Sequence, residues 1–403
     1  MRIIHTSDWH LGKSLENISR MEEQIKFCED FIALVEEKNA DAVIIAGDIY
    51  DTYNPSAAAE ALFYDTIEKL SCNGKRYVYV IAGNHDNPER LETVNPLVQN
   101  KGITILGYPK SIAATGKYSG FEIVEGKEGF TKVKINDEVI NIIGMPYPSE
   151  KRLNEVIEGY RNEEDMQKSY SQKIGDLFRE LEKNYRDDEI NIAVSHIFVV
   201  GSNISDSERR IELGGSLLVE KDDLPSKSQY TALGHIHRPQ RMSKKFNAYY
   251  SGSPIQYSKN ERTSSKSVYI VDLEPGKEAV VQEEFVKNYK PIELFKCNGI
   301  QEALEVAEKN ADKDIFSYFE ITTEKSLEAE DIRTLKKTMK NVLEIRPIIS
   351  GADEFEKKEV VDINRGNIED FFKDFYKENK GTEPSEDVLN IFRELVSEDE
   401  EVE

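Results

Sequence analysis

The 403-residue chain has three cysteines, six histidines, one tryptophan and no long apolar run. Each scarcity excludes something. Cys28, Cys72 and Cys297 are odd in number, far apart and form no CxxC, so neither a disulfide framework nor a thiolate zinc knuckle is expected. That usage fits a reducing, cytoplasmic compartment. No apolar stretch approaches the roughly 18 to 20 residues that cross a bilayer, so no membrane span is expected. Polar groups begin at His5, which is unlike a secretory leader. A cationic excess is missing too: the net charge is −23, which taken whole argues against a polyanionic partner.

The charge is unevenly spread. Residues 353–403 hold 18 acids and 7 bases, a net of −11. Residues 235–266 hold seven bases (Arg238, Arg241, Lys244, Lys245, Lys259, Arg262 and Lys266) against one acid, Glu261, a net of +6. Charges further apart than about 8 to 10 Å are screened, so local balance counts for more than the sum. This stretch is a candidate for contact with a phosphate backbone, with a solvated loop as the plainer alternative.

The first hundred residues alternate short apolar strands with amphipathic helices. Ile3 to Thr6, Ala42 to Ala46 and Val78 to Ala82 read as buried strands. Met21, Ile25, Cys28, Ile32 and Val35 recur at helical spacing, as do Ala59, Leu62, Phe63, Thr66, Ile67 and Leu70. Peripheral helices are expected between Glu150 and Arg186, and further core strands at Ile190 to Ser195, Tyr230 to Gly234 and Ser267 to Leu273. Glu274, Pro275 and Gly276 punctuate the end of this unit. Beyond it the alternation repeats on a smaller scale, and two short amphipathic helices follow. The expectation is an α/β fold with boundaries at 1–275, 280–350 and 355–403, the last with an acidic end.

Polar residues gather just past the strands. His5-Thr-Ser-Asp8-Trp-His10 follows the first, Gly47-Asp48-Ile-Tyr-Asp51 the second and Gly83-Asn84-His85-Asp86 the third. Ser195-His196 and Gly234-His235-Ile-His237 follow two later ones, and no histidine lies elsewhere. In an α/β sheet the strand C-termini share one edge, where sites are usually built. Two imidazoles in HxH on an extended segment face the same way. Any one segment alone is a common accident; all five in order are not. Carboxylate, imidazole and amide oxygen without thiolate suit Mn²⁺, Fe or Zn²⁺ in open coordination. Asp8, His10, Asp48, Asn84, His196, His235 and His237 are too many for one ion and suit two sharing a carboxylate, the arrangement that drives in-line phosphoryl displacement.

The DxH, GDxxD, GNHD, isolated His and GHxH segments resemble those of the calcineurin-like metallophosphoesterase superfamily. "HTSDWHLGK" (5–13), "AGDIYD" (46–51), "AGNHD" (82–86), "LGHIHRPQ" (233–240) and "YSGSPIQYS" (250–258) are similar, more narrowly, to its nucleases that act on DNA double-strand breaks. The likeness is sharpest over residues 1–275. It implies a four-layer α/β/β/α sandwich, a small α/β capping domain and a helical C-terminal tail. It also implies two divalent ions, most often Mn²⁺. Asp8, His10, Asp48 and His237 would hold the first ion. Asp48, Asn84, His196 and His235 would hold the second. His85 would protonate the leaving oxygen, with Asp86 orienting its ring. Where archaeal and eukaryotic relatives carry a histidine, this chain has Asp51.

The resemblance further implies exonuclease and endonuclease activity on DNA ends and hairpins, in repair, recombination and replication. An ABC-type ATPase with a long coiled coil would control it, within a homodimeric assembly. Lys13, Arg238, Arg241, Lys244, Lys245, Lys259 and Arg262 are candidates to touch DNA. Trp9 reads as wall packing rather than a stacking platform. Ile368, Phe371, Phe372, Phe375, Tyr376, Leu389 and Phe392 form apolar stripes on a tail too short for a core of its own, a surface for the ATPase. The alternatives are another phosphodiesterase or phosphatase of the superfamily acting on nucleotides, and a non-catalytic scaffold on the same fold. An arginine soon after GDxxD, typical of the protein phosphatases, is missing: Thr52, Tyr53 and Asn54 follow Asp51.

Overall fold

The computed structural model describes residues 1–153, 163–205, 207–208, 217–324 and 326–349, and in the tail 372–373, 376, 384–385 and 388–389. Two sheets form its centre. The first has six strands in the order Val280–Phe285, Ser267–Asp272, Arg2–Thr6, Ala42–Ala46, Tyr77–Ile81, Ile103–Leu106. The last four run parallel and the first two add antiparallel at one edge. The second sheet has eight strands. Its middle, Ala248–Tyr250, Tyr230–Gly234, Ile190–His196 and Glu138–Met145, is parallel, and antiparallel strands flank it on both sides.

The near-continuous apolar character of these strands follows from burial on both faces. Along Ala42–Ala46, Val43 and Ile45 point to the helices Met21–Glu37 and Ala57–Ser71, where they meet Phe31, Phe63 and Ile67. Ala42, Ile44 and Ala46 point the other way, onto Ile142, Ile192 and Val194 of the second sheet. The outer face of that sheet, Ile143, Ala193 and Leu233, packs on Tyr170, Ile174 and Phe178 of the helix Glu163–Leu181. Helix, sheet, sheet and helix make the four layers.

The smaller unit is a three-stranded sheet, Ile292–Asn298, Phe316–Thr323 and Val342–Ile349, backed by the helices Ile300–Lys309 and Ala329–Thr338. From the sheet's other face Ile292, Phe316 and Tyr318 pack on Leu15 of the hairpin Ser14–Leu15/Ile18–Ser19. Arg20, 1% exposed, braces this joint: it pairs with Glu23, donates to the Gln256 carbonyl and lies 4.8 Å from the Phe316 ring centre. Met1–Ile321 together with Leu327–Pro347 therefore forms one compact unit. In the tail, the Phe372 and Tyr376 rings lie 5.9 Å apart and Leu389 is buried. Ile368, Phe371, Phe375 and Phe392 lie outside the described residues.

Candidate metal centre

The parallel strands of both sheets end on one edge, and the turns leaving them carry the polar residues. The first two turns are zipped together: the Asp8 amide donates to the Gly47 carbonyl at 2.9 Å and the His10 amide to the Asp48 carbonyl at 3.0 Å. Asp8, His10, Asp48 and His235 all have positive φ, at 54°, 44°, 50° and 105°. Non-glycine residues avoid that region, and strain of about 1 to 3 kcal/mol each persists only where the surroundings impose it, typically at functional sites. Gly83 is required for another reason: a Cβ there would collide with the Asp48 carboxylate.

All seven predicted donors come together. Asp8, His10 and His237 form one group and Asp48, His196 and His235 another, and His10 also falls in a third with Asp51 and His85; the ligand atoms of each lie within 4.8 Å of one another. Asp48 Oδ2 lies between the groups, 3.6 Å from His10 Nε2 and 3.5 Å from His196 Nε2. Asn84 Oδ1 is 2.9 Å from both His196 Nε2 and His235 Nδ1. His10 Nε2 and His237 Nε2 face each other at 2.9 Å. Nitrogen lone pairs and carboxylate oxygens aimed at common points fit divalent cations, and the nitrogen–oxygen composition excludes a thiolate site.

The electrostatics agree. Burial pulls His10 and His235 down to about 3, leaving neutral imidazoles with a lone pair to give. Burial pushes the Asp8 carboxyl up, and the neighbouring Asp48 charge adds to it, while His196 and His237 oppose. Burial alone would lower His196, yet the Asp48 carboxylate carries it up to about 9. Two buried carboxylates thus draw positive charge into the site, the charge a divalent ion provides.

His85 stands beside this cluster, its ring 4.7 Å from that of His10 and its amide donating to Asp48 Oδ1 at 2.9 Å. What orients the ring differs from the sequence expectation. His85 Nδ1 lies 2.7 Å from the Asp51 carbonyl, so Nδ1–H donates there and Nε2 is turned away from it. Asp86 does not hold the ring. Its carboxylate accepts the amides of Ile49, Tyr50 and Gly83 at 3.1, 3.0 and 2.8 Å, tying the turn after the third strand to the turn after the second. Asp86 is a positioning residue for two loops because its side chain points back under the turn, where those amides lack other partners. Burial and the Asp48 charge push it up to about 6 against those three bonds.

Sequence reasoning missed Arg152. Its guanidinium donates to the Gly83 carbonyl and the Asp86 carbonyl, each at 2.7 Å, and lies 5.4 Å from the Tyr147 ring centre. It brackets Asn84 and His85 from both sides, some 66 residues down the chain. No local pattern marks it. Hydrogen bonds from a charged donor are worth about 1.5 to 3 kcal/mol in buried settings. Arg152→Ala is therefore expected to lower unfolding stability by about 2 kcal/mol and to cut turnover more than substrate affinity. Denaturant melts and steady-state kinetics on a small phosphodiester check both.

The candidate DNA contacts divide. Lys13 Nζ pairs with Asp51 at 2.6 Å, at the edge of the site. Lys259 is occupied elsewhere than expected: it pairs with Glu320 at 2.9 Å and lies 3.6 Å from Glu344, joining the small sheet to the 259–263 turn. Arg241 donates to the Ser243 and Lys244 carbonyls and to Asn247, Lys245 lies 3.4 Å from Asp222, and Arg262 donates to the Lys259 carbonyl. Arg238 and Lys244 are exposed. Trp9 is fully buried among Phe27, Phe31 and Phe63, hence wall rather than platform.

A four-layer sandwich with mixed carboxylate, imidazole and amide donors at its strand ends defines a metallophosphoesterase. The family model for calcineurin-like phosphoesterases matches residues 1–239, more than half the chain, and the chain belongs to that family. Two bacterial relatives match along nearly the full length. The SbcD component of the nuclease SbcCD from Bacillus subtilis is 39% identical over 400 residues, 98% of each chain. The protein of the same name from Staphylococcus epidermidis is 29% identical over 385 residues, 94% of this chain and 93% of its own. Among solved structures, a dimetal phosphatase from Danio rerio, 12% identical, aligns over 70% of this chain and 98% of its own with a TM-score of 0.37. Among the described residues no helix is long and apolar enough to cross a membrane.

Proposed function

We propose that this chain is the nuclease subunit of a two-part complex, a metal-dependent DNA exonuclease and endonuclease whose partner is an SbcC-type ABC ATPase. The observation that carries this reading is the convergence of seven oxygen and nitrogen donors beside one further imidazole, His85, whose Nδ1 is held by the Asp51 carbonyl. Asp8, His10, Asp48 and His237 would hold one ion and Asp48, Asn84, His196 and His235 the other; the donor set suits Mn²⁺, Fe or Zn²⁺, and the family resemblance favours Mn²⁺ among them. When bound, the pair supplies positive charge to the phosphoryl and leaving oxygens of a phosphodiester.

The chain's own residues do the rest. His85, anchored through Nδ1 to the Asp51 carbonyl, carries a proton on Nε2 to the departing oxygen. Asp86 and Arg152 keep the loop beneath it rigid, so that the proton sits where the oxygen leaves. Arg238, Lys244 and Arg262 would meet a phosphate backbone, and Lys13, at the edge of the site, would lie near the reacting phosphate. Residues 280–350 serve as a capping domain that orients DNA, and 355–403 as the surface for the ATPase, within a homodimeric assembly. ATP-regulated processing of DNA ends and hairpins in the cytoplasm follows from the same reading.

The test is Mn²⁺-dependent degradation of an end-labelled duplex and a hairpin, with and without the ATPase partner. Cleavage that needs Mn²⁺ supports the proposal. Hydrolysis of a small phosphodiester without any cleavage of DNA, even with the partner, moves the substrate to another class. Neither activity, with less than one ion bound per chain, leaves a scaffold.

A further inference from the structure

Behind His237 lies a buried charge pair that the chemistry above does not use. Glu261 is 2% exposed and Lys266 6%. Replacing a buried ion pair by apolar groups of similar volume is often neutral or stabilising, so packing alone is a weak reason for this one. Its surroundings supply a better reason. Lys266 Nζ donates to Glu261 Oε2, to Ser253 Oγ at 2.8 Å and to the His237 carbonyl at 2.9 Å. The Tyr257 amide also donates to Glu261 Oε2, at 3.3 Å.

Oε1 is thereby left facing His237. It accepts from the Ser207 hydroxyl and lies 3.6 Å from His237 Nδ1, while Ser207 Oγ is 2.6 Å from that nitrogen. One relay results: His237 Nδ1–H donates to Ser207, and the Ser207 hydroxyl donates to a carboxylate that Lys266 anchors. With its proton fixed on Nδ1, His237 turns the Nε2 lone pair toward His10 Nε2, 2.9 Å away. The other group is supported differently. His196 Nδ1 donates to the Ala46 backbone carbonyl at 2.8 Å, a neutral acceptor. Partners behind a metal-ligating histidine fix its tautomer, and a charged partner also raises the basicity of the nitrogen that faces the metal.

We propose that Glu261, acting through Ser207, is a positioning residue that makes the ion held by Asp8, His10, Asp48 and His237 the tighter bound of the two. The inference rests on the two-metal reading above and adds an asymmetry to it.

Titrating Mn²⁺ into the metal-free full-length chain, by calorimetry with bound ions counted by electron paramagnetic resonance, tests it without any substrate. Wild type is expected to show two classes of site. Ser207→Ala and Glu261→Gln should each weaken the tighter class by about 10- to 100-fold and leave the weaker class in place. Ser207→Thr, which keeps the hydroxyl, should retain wild-type affinity. Because Ser207→Ala leaves the Glu261–Lys266 pair intact, it decides the matter if Glu261→Gln folds poorly. Unchanged affinity at the tighter site in Ser207→Ala overturns the proposal. So does equal weakening of both classes, the mark of a general loosening. Fewer than two ions on wild type overturns both this inference and the two-metal reading.

Discussion

His85→Gln is expected to reduce hydrolysis of DNA, or of a small phosphodiester with an alkoxide leaving group, by about 10²- to 10⁴-fold, the range for a positioned general acid. Metal binding should survive. His85 is not one of the seven predicted donors: its Nδ1 is taken by the Asp51 carbonyl, its amide by Asp48, and its ring meets that of His10 edge-to-face. Glutamine keeps that amide, so the Asp48 contact from the backbone persists. The comparison therefore has to be made at matched Mn²⁺ occupancy, with bound ions counted in both proteins. A second substrate sharpens it: a phosphodiester whose leaving group is a weakly basic phenolate needs little protonation and should lose far less. Equal losses on both substrates, or loss of an ion with the imidazole, would remove His85 from the role of acid.

Asp48→Asn should have the broader effect. Asp48 Oδ2 lies within 3.6 Å of a histidine from each group, and Oδ1 accepts the His85 amide. Removing its charge takes an anionic ligand from both groups at once and leaves Asp8 as the one carboxylate among the seven. Both Mn²⁺ affinities are expected to fall and activity to drop to background. Stability reports the same loss independently. A ligand at about 100 times its dissociation constant stabilises the folded state by about 2.7 kcal/mol per site. Wild type should therefore melt at a distinctly higher temperature with Mn²⁺ than without, and Asp48→Asn should show little of that gain. A variant that keeps the full Mn²⁺-dependent shift would show that Asp48 is not shared between the ions.

How much of this was legible without coordinates depends on the kind of residue. The five strand-end segments could be read directly, because two features coincide there. An apolar run signals the strand, and the few residue types able to bind a hard cation follow at once. Trp9 was read correctly as wall packing, but of the rings it meets, Phe27, Phe31 and Phe63, only Phe63 was on a helix face that the apolar spacing had marked. Residues 100–150 were opaque. Phe121–Lys127, Phe130–Ile135 and Glu138–Met145 form successive antiparallel pairs of the second sheet, but they lack the alternation with helices that makes an α/β core easy to follow.

The supporting residues were opaque for a deeper reason. The acceptor that orients His85 is a main-chain carbonyl, which the residue at position 51 supplies whatever its side chain. The family resemblance implied an orienting role for Asp86. Instead its carboxylate turns beneath the loop to three amides. Arg152 and the Ser207–Glu261 relay reach the site from distant segments whose local patterns say helix or turn and nothing more.

The sequence by itself therefore determined the α/β core, the donor set and the class of reaction. Those rest on residue chemistry and on period-two and period-3.6 patterning, which are local properties of the chain. Only the tertiary structure decided which oxygen and nitrogen atoms stand behind the donors, and so which imidazole carries its proton where. That depends on contacts between segments far apart in the chain, formed when two sheets close face to face and their strand ends meet.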